Sequence, residues 1–161
     1  NREMVEALDG QIAQLEARIE QVIGQDETLA RMTELIRSVP GVGKVLGWML
    51  LVKTNGFENI TDPRKLACYA GVVPFEHQSG TSLRYKPRVS PYADKALKSV
   101  LHLGAMSAIR LDNDLRAYYK RKVAEGKNKM GVINAVRNKI VHRVCAVIKN
   151  QRKYQNDLSL S

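Results

Sequence analysis

Twelve consecutive residues, His77-Gln78-Ser79-Gly80-Thr81-Ser82-Leu83-Arg84-Tyr85-Lys86-Pro87-Arg88, combine hydroxyls, one imidazole and three cations. A serine that attacks a phosphodiester needs a small neighbour for access, cations to hold the pentacoordinate phosphate, and a place for its proton. Ser79 beside Gly80 supplies the first, and Arg84, Lys86 and Arg88 supply the second. His77 is a possible proton acceptor, although cationic surroundings make its role hard to assign. The same residues also suit a phosphate-binding loop that does no chemistry. Ser82 is a second candidate nucleophile.

A second constellation is Val39-Pro40-Gly41-Val42-Gly43-Lys44, which opens a helix. Gly41 and Gly43 permit backbone angles that residues with a Cβ resist. They also let a phosphate approach the bare N–H groups at a helix N-terminus, where Lys44 adds charge. This is the hairpin of a helix-hairpin-helix element, which grips a backbone without reading bases. A tight helix–helix turn needs the same glycines. The GxxxxGK[ST] spacing of a Walker loop is absent.

Other chemistries find little support. No GxSxG elbow exists for a Ser-His-Asp hydrolase. His77, His102 and His142 are isolated, and no HExxH or His/Cys cluster is present. Asp112 and Asp114 form the close acidic pair of the C-terminal half, placed where a helix N-terminus favours them. The expectation is therefore no metal site in this chain. Cys68 and Cys145 are far apart among apolar residues, which excludes a disulfide scaffold and fits a reducing compartment.

Helices must position these groups. Val5, Leu8, Ile12, Leu15, Ile19 and Val22 recur at the 3,4 spacing of a coiled-coil seam. The spacing predicts an arm that pairs with another chain, folds back as a hairpin, or packs on a further domain. A second helix carries Leu29, Met32, Leu35 and Ile36 on one face. The apolar run Val45–Val52 is a third helix, ended by Thr54-Asn55-Gly56. Asp62-Pro63 caps a short helix over 63–70. Val72 to Val89 reads as a loop or irregular β-hairpin. Ser90-Pro91 is expected to open a long helix to about Leu111, followed by one from Asp112–Asp114 to near Gly126 and a last from Lys129 to Asn150. The tail 151–161 is polar and expected to fray. The fold is thus mainly α, with an arm at 1–37, a helix-hairpin-helix body at 38–150 and a tail at 151–161.

Charge follows the same division. The 161 residues hold 26 basic and 16 acidic side chains, a net +10. Residues 1–37 carry −4 and residues 38–161 carry +14. Such a body attracts polyanions and gains from counterion release on nucleic acid. Tyr118-Tyr119-Lys120-Arg121-Lys122, Lys127 and Lys129 form a basic, partly aromatic region. No apolar run approaches the ~18 residues of a membrane span, and no signal peptide is evident. The chain begins at Asn1 inside a helical pattern, which suggests a piece of a longer protein.

The order of these parts resembles a known family. The Pro-Gly turn, the apolar helix, Asp62-Pro-Arg-Lys-Leu-Ala-Cys-Tyr-Ala-Gly71, Val73-Pro74, Gln78-Ser79-Gly80, the basic strip and Leu115-Arg-Ala-Tyr-Tyr119 are similar to the C-terminal transposase domain of bacterial insertion-sequence transposases. These transposases carry an N-terminal DEDD RNase-H-like nuclease domain and are the bridge-RNA-guided serine recombinases. The resemblance covers residues 38–150, and the arm resembles the family's helical connector. It implies that Ser79 is the nucleophile joined to a DNA phosphate during strand exchange. It further implies DNA and a guide RNA as partners and a bacterial cytoplasmic, nucleoid-associated setting, while the Val5–Val22 seam itself predicts a homo-oligomer through residues 1–37. Magnesium is implied only in the nuclease domain, whose acidic quartet has no match here. The chain alone is expected to bind nucleic acid without recombining it. A non-catalytic, structure-specific DNA-binding module, or a structural oligomerisation domain, would share the hairpin and the arm.

Overall fold

Short polar side chains start most of the helices. The computed structural model describes residues 1–73 and 93–156, and these form seven α-helices with no strand among them. They are α1 (Arg2–Gly24), α2 (Glu27–Arg37), α3 (Lys44–Lys53), α4 (Pro63–Tyr69), α5 (Lys95–Ala108), α6 (Asp114–Ala124) and α7 (Lys129–Asn150). Asp26, Asp62, Asp94, Asn113 and Asn128 cap α2, α4, α5, α6 and α7, each accepting from a backbone N–H of the first turn. Pro63 occupies the first turn of α4. The mainly α expectation therefore holds.

α7 is the central strut. Its 22 residues span about 33 Å at 1.5 Å per residue. Ile133, Val136, Ile140, Val141 and Val144 are buried along it. α2, α4, α5 and α6 pack around it, and α3 packs on α2 and α5. Leu35 and Ile36 of α2, Leu50 of α3, Leu66 of α4, Leu97 and Leu101 of α5, and Leu115 of α6 complete a core closed to solvent.

α1 buries none of its residues. Its seam residues Val5, Leu8, Ile12, Leu15 and Val22 remain about half exposed. α1 packs on α2, with Arg37 Nη1 donating to Glu20 Oε1 at 3.1 Å. The next helix is different: α2 carries Leu35 and Ile36 fully into the core of the body.

Two expectations need correction. α5 begins at Lys95, capped by Asp94, and not at Ser90-Pro91, which lies outside the described residues. Its far end stops at Ala108 because the Asn113 side-chain amide donates to the Ala108 and Leu111 carbonyls. Residues 151–156 of the tail are also packed on the body. Gln151 adopts the left-handed conformation and turns the chain back. Tyr154 N–H then donates to Ser38 Oγ at 2.8 Å, Tyr154 Oη donates to Asp114 Oδ1 at 2.7 Å, and Lys153 pairs with Glu34 at 2.6 Å. Tyr154 also packs beneath the Arg143 guanidinium, which forks onto the Asp114 carboxylate. A polar composition concealed one aromatic anchor.

The α2–α3 turn seats directly on α5. Gly41 has φ +89, and its carbonyl lies against Gly104. A Cβ at Gly104 would stand 2.6 Å from the Gly41 oxygen and 3.0 Å from Leu46 Cδ2. Gly104→Ala is therefore expected to destabilise the chain by about 1–3 kcal/mol, and Gly41→Ala by at least as much. In thermal melts this is a fall of about 2–4 °C per kcal/mol. Gly10→Ala, on the open face of α1, should not lower the melting temperature. Equal melting of Gly104→Ala and wild type would show that the two backbones do not meet.

Candidate nucleic-acid interface

The segment bearing Ser79, Arg84, Lys86 and Arg88, together with His77, Ser82 and Ser90, lies outside the described residues. Its two roots are described, and they are clasped together. Asp94 N–H donates to the Tyr69 carbonyl at 2.8 Å. The Asp94 carboxylate accepts from Leu97 N–H at 2.8 Å and from Tyr69 Oη at 3.1 Å, and it pairs with Lys53 Nζ at 2.7 Å. The ends of α3 and α4 thus converge on the start of α5. On the other root, Asn134 of α7 donates to the Val73 carbonyl at 3.4 Å.

The clasp is electrostatically tuned. The Lys53 ammonium, then the Leu97 N–H, hold the Asp94 carboxyl below the usual range against the opposing effect of burial. Asp94 in turn raises Lys53. The Tyr69 phenol is pushed up, first by burial and then by its bond to Asp94.

The Pro-Gly turn divides its two glycines between two tasks. Gly41 packs against α5, as described above. Gly43 and Lys44 are exposed at the start of α3. Gly43 gives α3 no side-chain cap, and a Cβ there would meet nothing within 4 Å. The first-turn N–H groups of α3 therefore face outward beside an ammonium, an arrangement suited to an anion.

The open turn and the clasp sit at opposite ends of one helix. Gly43 starts α3 and Lys53 of the clasp ends it, so about 15 Å of helix separates them. A second basic area surrounds the α6–α7 turn, where Lys120, Arg121, Lys127 and Lys129 are exposed. Tyr118 there lies under Lys139 Nζ at 4.6 Å and Arg121 at 5.8 Å from the ring centroid. Asn134, which holds Val73, is on the α7 segment just after this turn.

Asp94, Lys53, Tyr69 and Asn134 were not singled out by sequence reasoning. One signal was available: Asp94 is the sole carboxylate between Glu76 and Asp112. No group of three or more His, Cys, Asp or Glu capable of holding a metal occurs among the described residues. Cys68 and Cys145 are free, and burial pushes the Cys145 thiol up to about 11. No helix among the described residues is long and apolar enough to cross a membrane.

Residues 33–120 match the family model described as the transposase IS116/IS110/IS902 family. A pilin gene-inverting protein of Moraxella bovis is 30% identical over 144 residues, covering 89% of this chain and 45% of that protein. The insertion element IS900 uncharacterized 42 kDa protein of Mycobacterium paratuberculosis is 31% identical over 151 residues, covering 93% and 37% respectively. The insertion element IS110 uncharacterized 43.6 kDa protein of Streptomyces coelicolor is 27% identical over 127 residues, covering 78% and 31%. The chain spans less than half the length of each of these relatives.

The clasp has a pH signature. Because its folded-state pKa is depressed, Asp94 contributes stability above the ordinary carboxylate range and loses it as pH falls through the depressed value. Lys53 behaves oppositely, contributing below its ordinary range and losing that contribution as pH rises through its raised value. Asp94→Asn keeps a good helix cap but removes the charge. It should melt a few degrees below wild type at neutral pH, and the difference should shrink as pH falls to about 3. Parallel melting profiles from neutral to acidic pH would contradict a charged clasp.

Proposed function

The chain belongs to the transposase IS116/IS110/IS902 family, and on that premise we propose that it is the nucleic-acid-binding, catalytic-serine domain of a DNA transposase or recombinase. The observation that carries this reading is the family match over residues 33–120, which contains the entire Ser79 segment and both of its clasped roots. The name of the pilin gene-inverting relative supports DNA rearrangement as the reaction class. The +14 charge of residues 38–161 supports a polyanionic partner, DNA together with a guide RNA.

In this reading the Ser79 oxygen attacks a DNA phosphorus. A serine–phosphate bond forms, the bond from phosphorus to a deoxyribose oxygen breaks, and the departing oxygen takes up a proton as Ser79 loses one. Arg84, Lys86 and Arg88 hold the non-bridging oxygens of that phosphate. Gly43 and Lys44 hold another phosphate, with Gly41 shaping the turn from behind. The ~15 Å between the two ends of α3 is close to half a turn of B-DNA, so one duplex lying along α3 can touch both.

The described residues offer no metal cluster. The magnesium and acidic quartet implied by the resemblance would belong to a DEDD nuclease domain elsewhere in a longer protein. The exposed α1 seam pairs with the seam of a second copy, which would bring two Ser79 segments into one assembly.

Two experiments test this reading. In a longer protein that carries the nuclease domain, Ser79→Ala should abolish strand exchange while duplex binding stays near wild type. Arg84→Lys and Arg88→Lys should slow exchange more than they weaken binding, because lysine cannot copy the forked contact of a guanidinium with phosphate oxygens. Full exchange activity in Ser79→Ala would leave a non-catalytic DNA-binding module instead. For the arm, polar substitutions at Ile12 and Leu15 should shift the chain towards monomer in sedimentation equilibrium, since burying each large seam residue is worth about 1.5–3 kcal/mol. A wild-type chain that is monomeric at high concentration would refute the pairing.

A further inference from the structure

Two side-chain nitrogens among the described residues are enclosed without a hydrogen-bond partner, Trp48 Nε1 and Arg137 Nε. Only the second belongs to a permanently charged group. Arg137 is 7% exposed, midway along α7, and has no hydrogen bond or ion pair among the described residues. Two partly buried arginines elsewhere in the body are paired, Arg143 with Asp114 and Arg37 with Glu20. Burial lowers the Arg137 pKa, and no acidic group among the described residues opposes it. A buried guanidinium without a counterion is costly, because a desolvated charge needs an opposite charge or a full set of acceptors.

Its position shows where an anion would come from. At about 100° per residue, Asn134, Arg137, Val141 and Cys145 share one side of α7. Asn134 holds the Val73 carbonyl, and Asp62 is close enough to Cys145 to act on its thiol. The segment 62–73 therefore runs back along this side of α7, and Arg137 lies within that span. Arg137 is one turn from the root at Val73 and two to three turns from the exposed cations of the α6–α7 turn. Only Nε of its guanidinium is enclosed without a partner.

The geometry points to Arg137 as a phosphate-binding residue: a guanidinium at the α4–α7 junction, unpaired among the described residues, that takes a backbone phosphate of bound nucleic acid as its counterion. The assignment rests on the reading of the chain as a DNA-acting domain and adds to it a residue that packs like core yet serves the ligand. Ile133, Ile140 and Val144 are buried within two turns of Arg137 on α7, and an apolar stem held on that side would limit the entropy lost when the fork meets a phosphate.

The test compares stability with binding. Arg137→Met replaces the charge with an apolar side chain of similar length. It should melt at or above the wild-type temperature, since it removes an uncompensated buried charge. It should also bind a duplex of about 20 base pairs roughly five- to tenfold more weakly at low salt, and its log–log salt slope should shrink by about 0.9. A folded Arg137→Met with wild-type affinity and slope overturns the assignment. Should Arg137→Met fail to fold, Arg137→Lys decides. Weaker binding at a wild-type melting temperature supports the assignment, and unchanged binding overturns it. Inorganic phosphate is assayed alongside. If millimolar phosphate protects the wild type from melting as well as the duplex does, the site takes free phosphate and the polynucleotide assignment falls. A wild-type chain with no salt-dependent binding to any duplex defeats the DNA-acting reading itself, which is a separate outcome.

Discussion

Asp94 is required to do four things at once. It caps α5, accepts the Lys53 ammonium, accepts the Tyr69 hydroxyl and returns its own N–H to the Tyr69 carbonyl. These bonds tie the ends of α3 and α4 to the beginning of α5, so the chain leaves and re-enters the body at one place. Nineteen residues separate Val73 from Ala93, and they include every group expected to perform chemistry. A catalytic segment on a helical body needs fixed ends if its side chains are to meet a phosphate reproducibly. The carboxylate that fixes them lies in the basic half of the chain, where few others are present.

The rest of the body transmits that constraint. α3 runs from the open glycine turn to the clasp, and the Gly41–Gly104 contact holds its outer end against α5. α5 runs back along it to Asp94. The glycine turn and the clasp are thus braced by one pair of packed helices. Bringing two backbones together in this way requires glycine on both sides. α7 supports the other root through Asn134.

Helix positions were largely legible in the sequence because local chemistry decides them. Asp62-Pro63 and Asn128 cap where their types predict, and α7 matches its apolar spacing from end to end. The seam of α1 was legible as a pattern, and it remains exposed within the single chain. The missed features depend on partners distant in sequence. Ser90 is as good a cap as Asp94, and only the contacts with Lys53 and Tyr69 favour the latter. Tyr154 holds the tail through Ser38 and Asp114, residues 116 and 40 positions away. Arg137 carries no local mark of burial, because nothing near it in sequence distinguishes it from Lys139 or Arg143. The Ser79 chemistry was legible only through loop composition and family resemblance.

A clasped segment that presents Ser79 to a DNA phosphate would leave a covalent trace. The covalent complex formed by a longer protein on its DNA substrate can be trapped and digested, and the nucleotide located by mass spectrometry. The expected result is a phosphodiester remnant on the peptide containing Gln78-Ser79-Gly80, absent when Ser79 is alanine. A remnant on the peptide bearing Ser90, or no remnant at all while strand exchange proceeds, would contradict it.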